Sequence, residues 1–344
     1  MINFQSDYLE GCHPKILDKL IDTNFKQSSG YGNDEYSKNA IQKIKKACKK
    51  EDIDVHFLVG GTQTNSIVIA SVLRPHQGVV SATSGHIATH EAGAIEATGH
   101  QVLTLPSEDG KILAEQVKEM YDEHWNNPMH ESAVQPGMVY ISNSTENGTF
   151  YSKAELESLS KVCRELGLPL FLDGARLGYA LTSPNNDLTL EDIANLCDVF
   201  YIGGTKCGAL FGEAVVICSD PLKRDFRYIM KQRGGLLAKG RLLGIQFDVL
   251  FEDDLYFDIC GSAVNYALQL KHAFEEKGIK LYGESLTNQQ FPILTNTQLD
   301  YLSKKYGFEV WSKINEDNTV VRFCTSWATK KEDIDALIDD IGLM

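Results

Sequence analysis

The sequence predicts an α/β protein: a mostly parallel sheet sandwiched by helices, followed by a smaller α+β domain. Three observations carry that expectation. Short β-branched runs alternate with helix-patterned runs from about residue 55 to 218, which implies right-handed crossovers and a buried, mostly parallel sheet. Past residue 239 the alternation gives way to long helical stretches and a few short strands. A chain of 344 residues is also long for one compact core and suits a large domain plus a smaller one.

The elements follow in order. "VHFLV" (55–59) reads as a strand, and "GGTQTNSIVIASVL" after it turns from Gly-Gly-Thr into an apolar-periodic helix. "GVVSA" (78–82) leads into "HIATHEAGAIEAT", a helical pattern, and "QVLTL" (101–105) into a helix near 111–124. "MVYIS" (138–142) precedes "SKAELESLSKVCRELG", whose spacing and terminal Gly167 mark a complete helix. Then come "LPLFLD" (168–173), a helix near 189–196, "DVFYIG" (198–203) and "EAVVIC" (213–218). Helices over about 239–252 and 258–277 lead to strands "FPILT" (291–295), "FEVWSKI" (308–314) and "TVVRFCTS" (319–326), with a last helix near 330–342. The expected division is an N-terminal segment (1–25) packing near the small domain, a large α/β domain (26–248) and the small α+β domain (249–344).

Composition narrows the function. Apolar residues at 43% and charged residues at 23% are ordinary for a globular protein. A net charge of −14 argues against nucleic acid or an anionic membrane as the main partner, while leaving room for a local basic pocket. The first residues lack a basic then apolar leader, and no apolar run approaches the roughly 20 residues that span a bilayer. The eight cysteines are scattered without a CxxC pair, which reads as reduced thiols in a cytoplasmic compartment.

In an open parallel sheet, ligands bind outside the carboxyl ends of the strands. Gly60-Gly61-Thr62, His86, Asp173 and Lys206 fall at four such junctions. Pyridoxal phosphate chemistry wants this set. A lysine amine attacks the cofactor aldehyde, and a carboxylate keeps the pyridine nitrogen protonated so that the ring withdraws electrons. Backbone N–H groups at a helix N-terminus take the phosphate, and an imidazole stacks on the ring. Taken singly, each residue has a plainer reading. Asp173 fits a helix N-cap, Arg176 a helical ion pair with it, Lys206 a loop residue and Gly60-Gly61 a tight turn. "HIATHEAG" spaces His86 and His90 for one helix face, but the order is not that of a helical zinc motif and no third ligand stands at a telling distance, so no metal is expected.

Together these phrases resemble the threonine aldolase/β-eliminating lyase family of fold type I pyridoxal-phosphate enzymes, over about residues 5–330. "LFLDGARL" (170–177) and "GGTKCG" (203–208) are the most specific pair; "GGTQTN" (60–65) matches the family's phosphate loop, with Gly60 in place of a serine. The resemblance implies a fold type I aminotransferase-like architecture and cleavage of threonine or allo-threonine to glycine and an aldehyde. Its alternative is β-elimination or amino transfer on the same cofactor. It implies that Lys206 bonds the cofactor, with Thr205 beside it, that Asp173 meets the pyridine nitrogen and that His86 stacks on the ring. Arg176 contacts the cofactor's phenolic oxygen or the substrate carboxylate, and Arg322 grips that carboxylate. Ser6, in "SD", and Tyr31, in "YGND", are substrate-side positions. Glu146 stands where the family has a histidine near the substrate hydroxyl, and becomes a candidate base, with His86 or a bound water as the alternatives. The family's arginine near the phosphate aligns with Ala238, so Lys239 is its candidate substitute. The site in this family lies between subunits, which implies a homodimer or homotetramer.

Overall fold

The computed structural model describes all 344 residues. Across its main sheet the seven strands run in the order Asp54–Leu58, Glu213–Ile217, Val199–Gly203, Leu170–Asp173, Gln135–Ser142, Gln77–Ala82 and Val102–Leu105. The strands from Val199–Gly203 to Val102–Leu105 are mutually parallel. Glu213–Ile217 alone runs against both of its neighbours. The reason is the connection before it. Residues 204–212 are too few for a crossover, which takes about a dozen residues, so the chain returns antiparallel. That return brings Glu213 opposite Gly203, at the edge where the parallel strands end.

Both faces of the sheet are covered, as alternation along the strands shows. Val139, Ile141, Leu170, Leu172, Phe200, Ile202, Ala214 and Val216 enter one apolar cluster. Their alternates Met138, Tyr140, Phe171, Val199, Tyr201, Val215 and Ile217 enter another, beneath the helix Gly61–Val72. Each Val, Leu, Ile, Phe or Met among them contributes about 1.5–3 kcal/mol by leaving water. The helix Lys153–Leu166 starts on a Ser152/Glu155 capping box and ends at Gly167, in the left-handed region.

"HIATHEAGAIEAT" forms a helix only over His86–Thr89. His90 already leaves the helical region at φ −124°, Ala92 and Gly93 then take φ of 49° and 75° and turn the chain, and a 3-10 turn follows at Glu96–Thr98. The bend lets Glu91 turn inward, where it is bonded to Asn65 and His86.

The C-terminal unit centres on Asn318–Cys324, antiparallel to Ile293–Thr295 on one side and Glu309–Lys313 on the other, with Gln289–Gln290 pairing near its end. Leu270, Phe274, Leu294, Val321, Phe323, Ile334 and Leu337 form its own core. The first residues divide between the units. Ile2–Asn3 pairs in parallel with Tyr306–Gly307 and Phe4 enters the small core, whereas Cys12 and Ile16 enter the large one. The amphipathic helix Pro14–Thr23 accordingly packs on Arg241–Leu250.

Candidate active site

A cavity of about 360 Å³ opens at the carboxyl edge of the parallel strands. Gly60, Gly61, Thr62, His86, Glu146, Asp173, Arg176, Thr205, Lys206 and Arg322 all line it, so ten residues singled out in the sequence converge there. Three others do not. Ser6 is buried outside the lining. Tyr31 lines a separate cavity with Arg227, its ring under the Lys231 ammonium at 4.6 Å. Lys239 lines another, beside Lys26 and Arg241.

Asp173 ends the strand Leu170–Asp173 and is almost fully buried. Its Oδ2 accepts the Tyr140 hydroxyl at 2.5 Å and Asn65 Nδ2 at 3.1 Å. Its Oδ1 accepts the Ala175 backbone N–H at 3.0 Å and the Tyr201 hydroxyl. Four donors satisfy a carboxylate and fix its orientation. Tyr140 and Tyr201 do this from the two strands flanking that of Asp173, in the sheet face beneath the Gly61–Val72 helix. A Cβ at Gly61 would come within 3.2 Å of the Tyr201 hydroxyl, so a side chain there would press on a donor of Asp173. Gly60 leaves the helix start without a side-chain cap, and the N–H groups of the first turn remain available to an anion.

The carboxylate of Asp173 belongs to a longer chain of bonds. Asn65 Nδ2 also donates to Glu91 Oε1, at 2.7 Å, and that oxygen lies 2.9 Å from His86 Nδ1. Burial alone would push the imidazole toward its neutral form. The Glu91 bond and the nearby Glu146 and Asp173 carboxylates outweigh it and raise its pKa above the ordinary histidine value. The His86 and His90 rings stack at 5.6 Å.

Lys206 lies on the 204–212 return. Beside it, Thr205 Oγ1 donates to Glu213 Oε1 at 2.8 Å and accepts the Gly212 N–H at 2.9 Å, so its hydroxyl is committed to the loop. The other Glu213 oxygen accepts the Gly204 N–H at 3.0 Å. Burial pushes the Glu213 carboxyl up to about 8, against the opposing pull of these donors and of Lys206. Arg176 is also committed: Nε and Nη2 bond Asp7, leaving Nη1 at 3.9 Å from Glu146. Arg322 bonds Gln289 Oε1 at 3.0 Å and pairs with Glu309, with Trp311 beneath its guanidinium at 5.4 Å.

Sequence reasoning missed Asp7, Asn65, Glu91, Tyr140, Tyr201, Glu213 and Glu309. Tyr140 and Tyr201 carried a signal, since each is a polar tip on an apolar strand at the parity of Asp173's neighbours. Asn65 stands in the same "GGTQTN" phrase as the phosphate loop. The others depend on contacts between distant segments.

The residues present fit pyridoxal phosphate. One primary amine, one fixed carboxylate, an uncapped helix start and an imidazole share one cavity. No group of three metal-ligating side chains converges anywhere in the chain.

The profile of the beta-eliminating lyase family matches residues 3–297. The low specificity L-threonine aldolase of Pseudomonas sp. (strain NCIMB 10558) is 30% identical, over 98% of this chain and 96% of that protein. That of Pseudomonas aeruginosa is 28% identical, over 99% and 97%. The solved structure of Leishmania major threonine aldolase superposes with a TM-score of 0.97 at 46% identity, covering 100% of this chain and 99% of that one. The histidinol-phosphate aminotransferase of Clostridium acetobutylicum, 14% identical with a TM-score of 0.73 over 100% and 99%, shares the fold.

Proposed function

The chain belongs to the beta-eliminating lyase family, and from that premise we infer that it is a pyridoxal-phosphate-dependent aldolase cleaving threonine or allo-threonine to glycine and an aldehyde. The observation that carries this reading is the convergence of Lys206, Asp173, His86 and the uncapped Gly60–Thr62 turn on one cavity.

In this reading Lys206 Nζ holds the cofactor covalently, and the Gly61 and Thr62 N–H groups take its phosphate. Asp173 takes the ring nitrogen and His86 a ring face. When bound, the cofactor supplies an electron sink for the bond broken at Cα. Arg322 grips the substrate carboxylate and so fixes which bond at Cα is aligned to break. Glu146 accepts the proton of the β-hydroxyl. The electrons of that O–H bond become the carbonyl bond of the aldehyde as Cα–Cβ parts. Arg176, held by Asp7, keeps Nη1 beside the Glu146 carboxylate and steadies it.

Tyr31 and Lys239 lie outside the cavity of their own chain, which favours an assembly in which each completes a neighbour's site. We read the protein as a homodimer or homotetramer on that ground. The eight unpaired thiols suit a reducing, cytoplasmic compartment, and no helix is long and apolar enough to cross a membrane.

Incubating the cofactor-loaded protein with L-threonine and with L-allo-threonine tests the reading. Glycine and acetaldehyde in equal amounts support it. A keto acid without glycine would assign elimination or amino transfer instead.

A further inference from the structure

The Arg322 guanidinium, read above as the grip for the substrate carboxylate, already holds a carboxylate of its own. Glu309 lies directly across from Arg322 in the antiparallel register, and its Oε2 pairs with Arg322 Nη2. The rest of the guanidinium rests on a fixed floor. Nη1 donates to Gln289 Oε1 at 3.0 Å, Nη2 also donates to the Gln5 carbonyl at 3.2 Å, and the Trp311 ring lies beneath. The two partners differ sharply in access: the Arg322 side chain is 9% exposed and that of Glu309 is 45%.

We propose that Glu309 is a resident competitor for the substrate carboxylate, sitting on Arg322 in the empty site, moving into solvent as an amino acid enters and returning as glycine leaves. The inference rests on the reading of Arg322 as the carboxylate grip.

The physical argument is an exchange of anions. A carboxylate approaching Arg322 from the cavity meets Glu309, which lines the same cavity and holds Nη2, and two carboxylates on one guanidinium repel each other. One must leave. Arg322 cannot be left unpaired, because a buried cation without an anion is costly. Glu309 can leave at little cost, because water receives its half-exposed carboxylate. The charge on the guanidinium therefore stays balanced throughout. A ligand with only a carboxylate gains little over Glu309. An amino acid also engages the site through its amine, and that second anchor tips the exchange. The competitor thus favours amino acids over simple carboxylates, and it helps expel glycine, which has no side chain to hold it.

Glu309→Gln and Arg322→Lys, each loaded with cofactor, test this. The readouts are calorimetric affinity for glycine, competitive inhibition by acetate, and KM for L-allo-threonine. For E309Q we expect glycine affinity to rise about five-fold, KM to fall by a similar factor, and acetate to become an inhibitor. R322K should weaken glycine binding. Unchanged or weaker glycine binding in E309Q, with R322K weakened, would make Glu309 a positioning partner of Arg322 and overturn the proposal. Unchanged binding in R322K would instead remove the grip itself, and the competitor with it.

Discussion

Arg176 and Asp7 form a buried bidentate pair, Nε to Oδ2 at 2.7 Å and Nη2 to Oδ1 at 3.1 Å. Asn288 Nδ2 donates to the same carboxylate at 2.9 Å. Arg176 follows the strand of Asp173, Asp7 belongs to the N-terminal segment, and Asn288 stands beside the strand Gln289–Gln290 of the small unit. One carboxylate therefore ties three parts of the chain together at the rim of the cavity, and this is why a charged pair is tolerated beside the core.

Asp7→Asn leaves the guanidinium buried without its anion. We expect a loss of about 3–5 kcal/mol, read as a fall in the urea midpoint. A midpoint within the error of the unsubstituted protein would mean that the pair does not hold the segments together.

The same pair sets an acid limit. Burial alone would raise the Asp7 pKa, but the Arg176 and Lys206 charges and the bonds from Arg176 and Asn288 outweigh it and hold it at about 2, against 3.8 ordinarily. The folded state thus binds the proton less readily than the unfolded one. Its contribution is present in full above about pH 4 and drains away as the pH falls toward 2. Urea midpoints measured across that window should decline steeply, and Asp7→Asn should flatten this part of the decline.

Glu91 Oε1 receives both Asn65 and His86, so a glutamine there can keep the geometry and lose the charge. The raised pKa of His86 depends largely on that bond. In Glu91→Gln the imidazole should release its proton at a lower pH, seen by NMR titration of the His86 ring and as a matching shift in the pH profile of kcat/KM. A merely structural Glu91 would change stability and leave the titration where it was.

Asp173 accepts from four donors, so an asparagine there keeps the shape but turns an NH2 group toward two of them, and its kinetics are read beside its urea midpoint. Asp173→Asn should bind cofactor yet turn over about 10²–10³-fold more slowly, because an amide cannot balance a protonated ring nitrogen. Lys206→Ala should lose the visible absorbance of covalently held cofactor. Full activity in either variant would refute the assignment of that residue.

What the sequence disclosed follows a physical divide. Gly61, Asp173 and Lys206 were legible because strand–helix alternation forces their junctions to one sheet edge, where a polar residue after an apolar run stands out. Arg176 was legible as a residue but its partner was not, since nothing local in "SD" points to a strand end far along the chain. Glu91 read as one position of a continuous helix, and only the left-handed Ala92–Gly93 bend turns it inward. Glu309 faces Arg322 through strand register, which a bulge between Val310 and Ser312 shifts, and alternation alone does not give that pairing. Tyr31 and Lys239 entered only through the family resemblance, and their own chain does not bring them to the cavity.

Glu213 gives the opposite pH signature to Asp7. Burial is the largest influence on it, and although Thr205, the Gly204 N–H and Lys206 pull the other way, its pKa stands at about 8 against 4.5 ordinarily. The folded state therefore keeps this proton where the unfolded state has lost it. The stabilisation is complete below about pH 4.5 and is lost progressively as the pH rises through 8. Glu213→Gln imitates the protonated acid and can still accept the Gly204 N–H. Its urea midpoint should match the parent below about pH 4.5 and exceed it increasingly as the pH rises from there to 8, so that the two curves diverge through that window. Curves that remain parallel from pH 5 to 9 would show that Glu213 is ionised in the folded protein, and that Lys206 has a permanent anion for a neighbour.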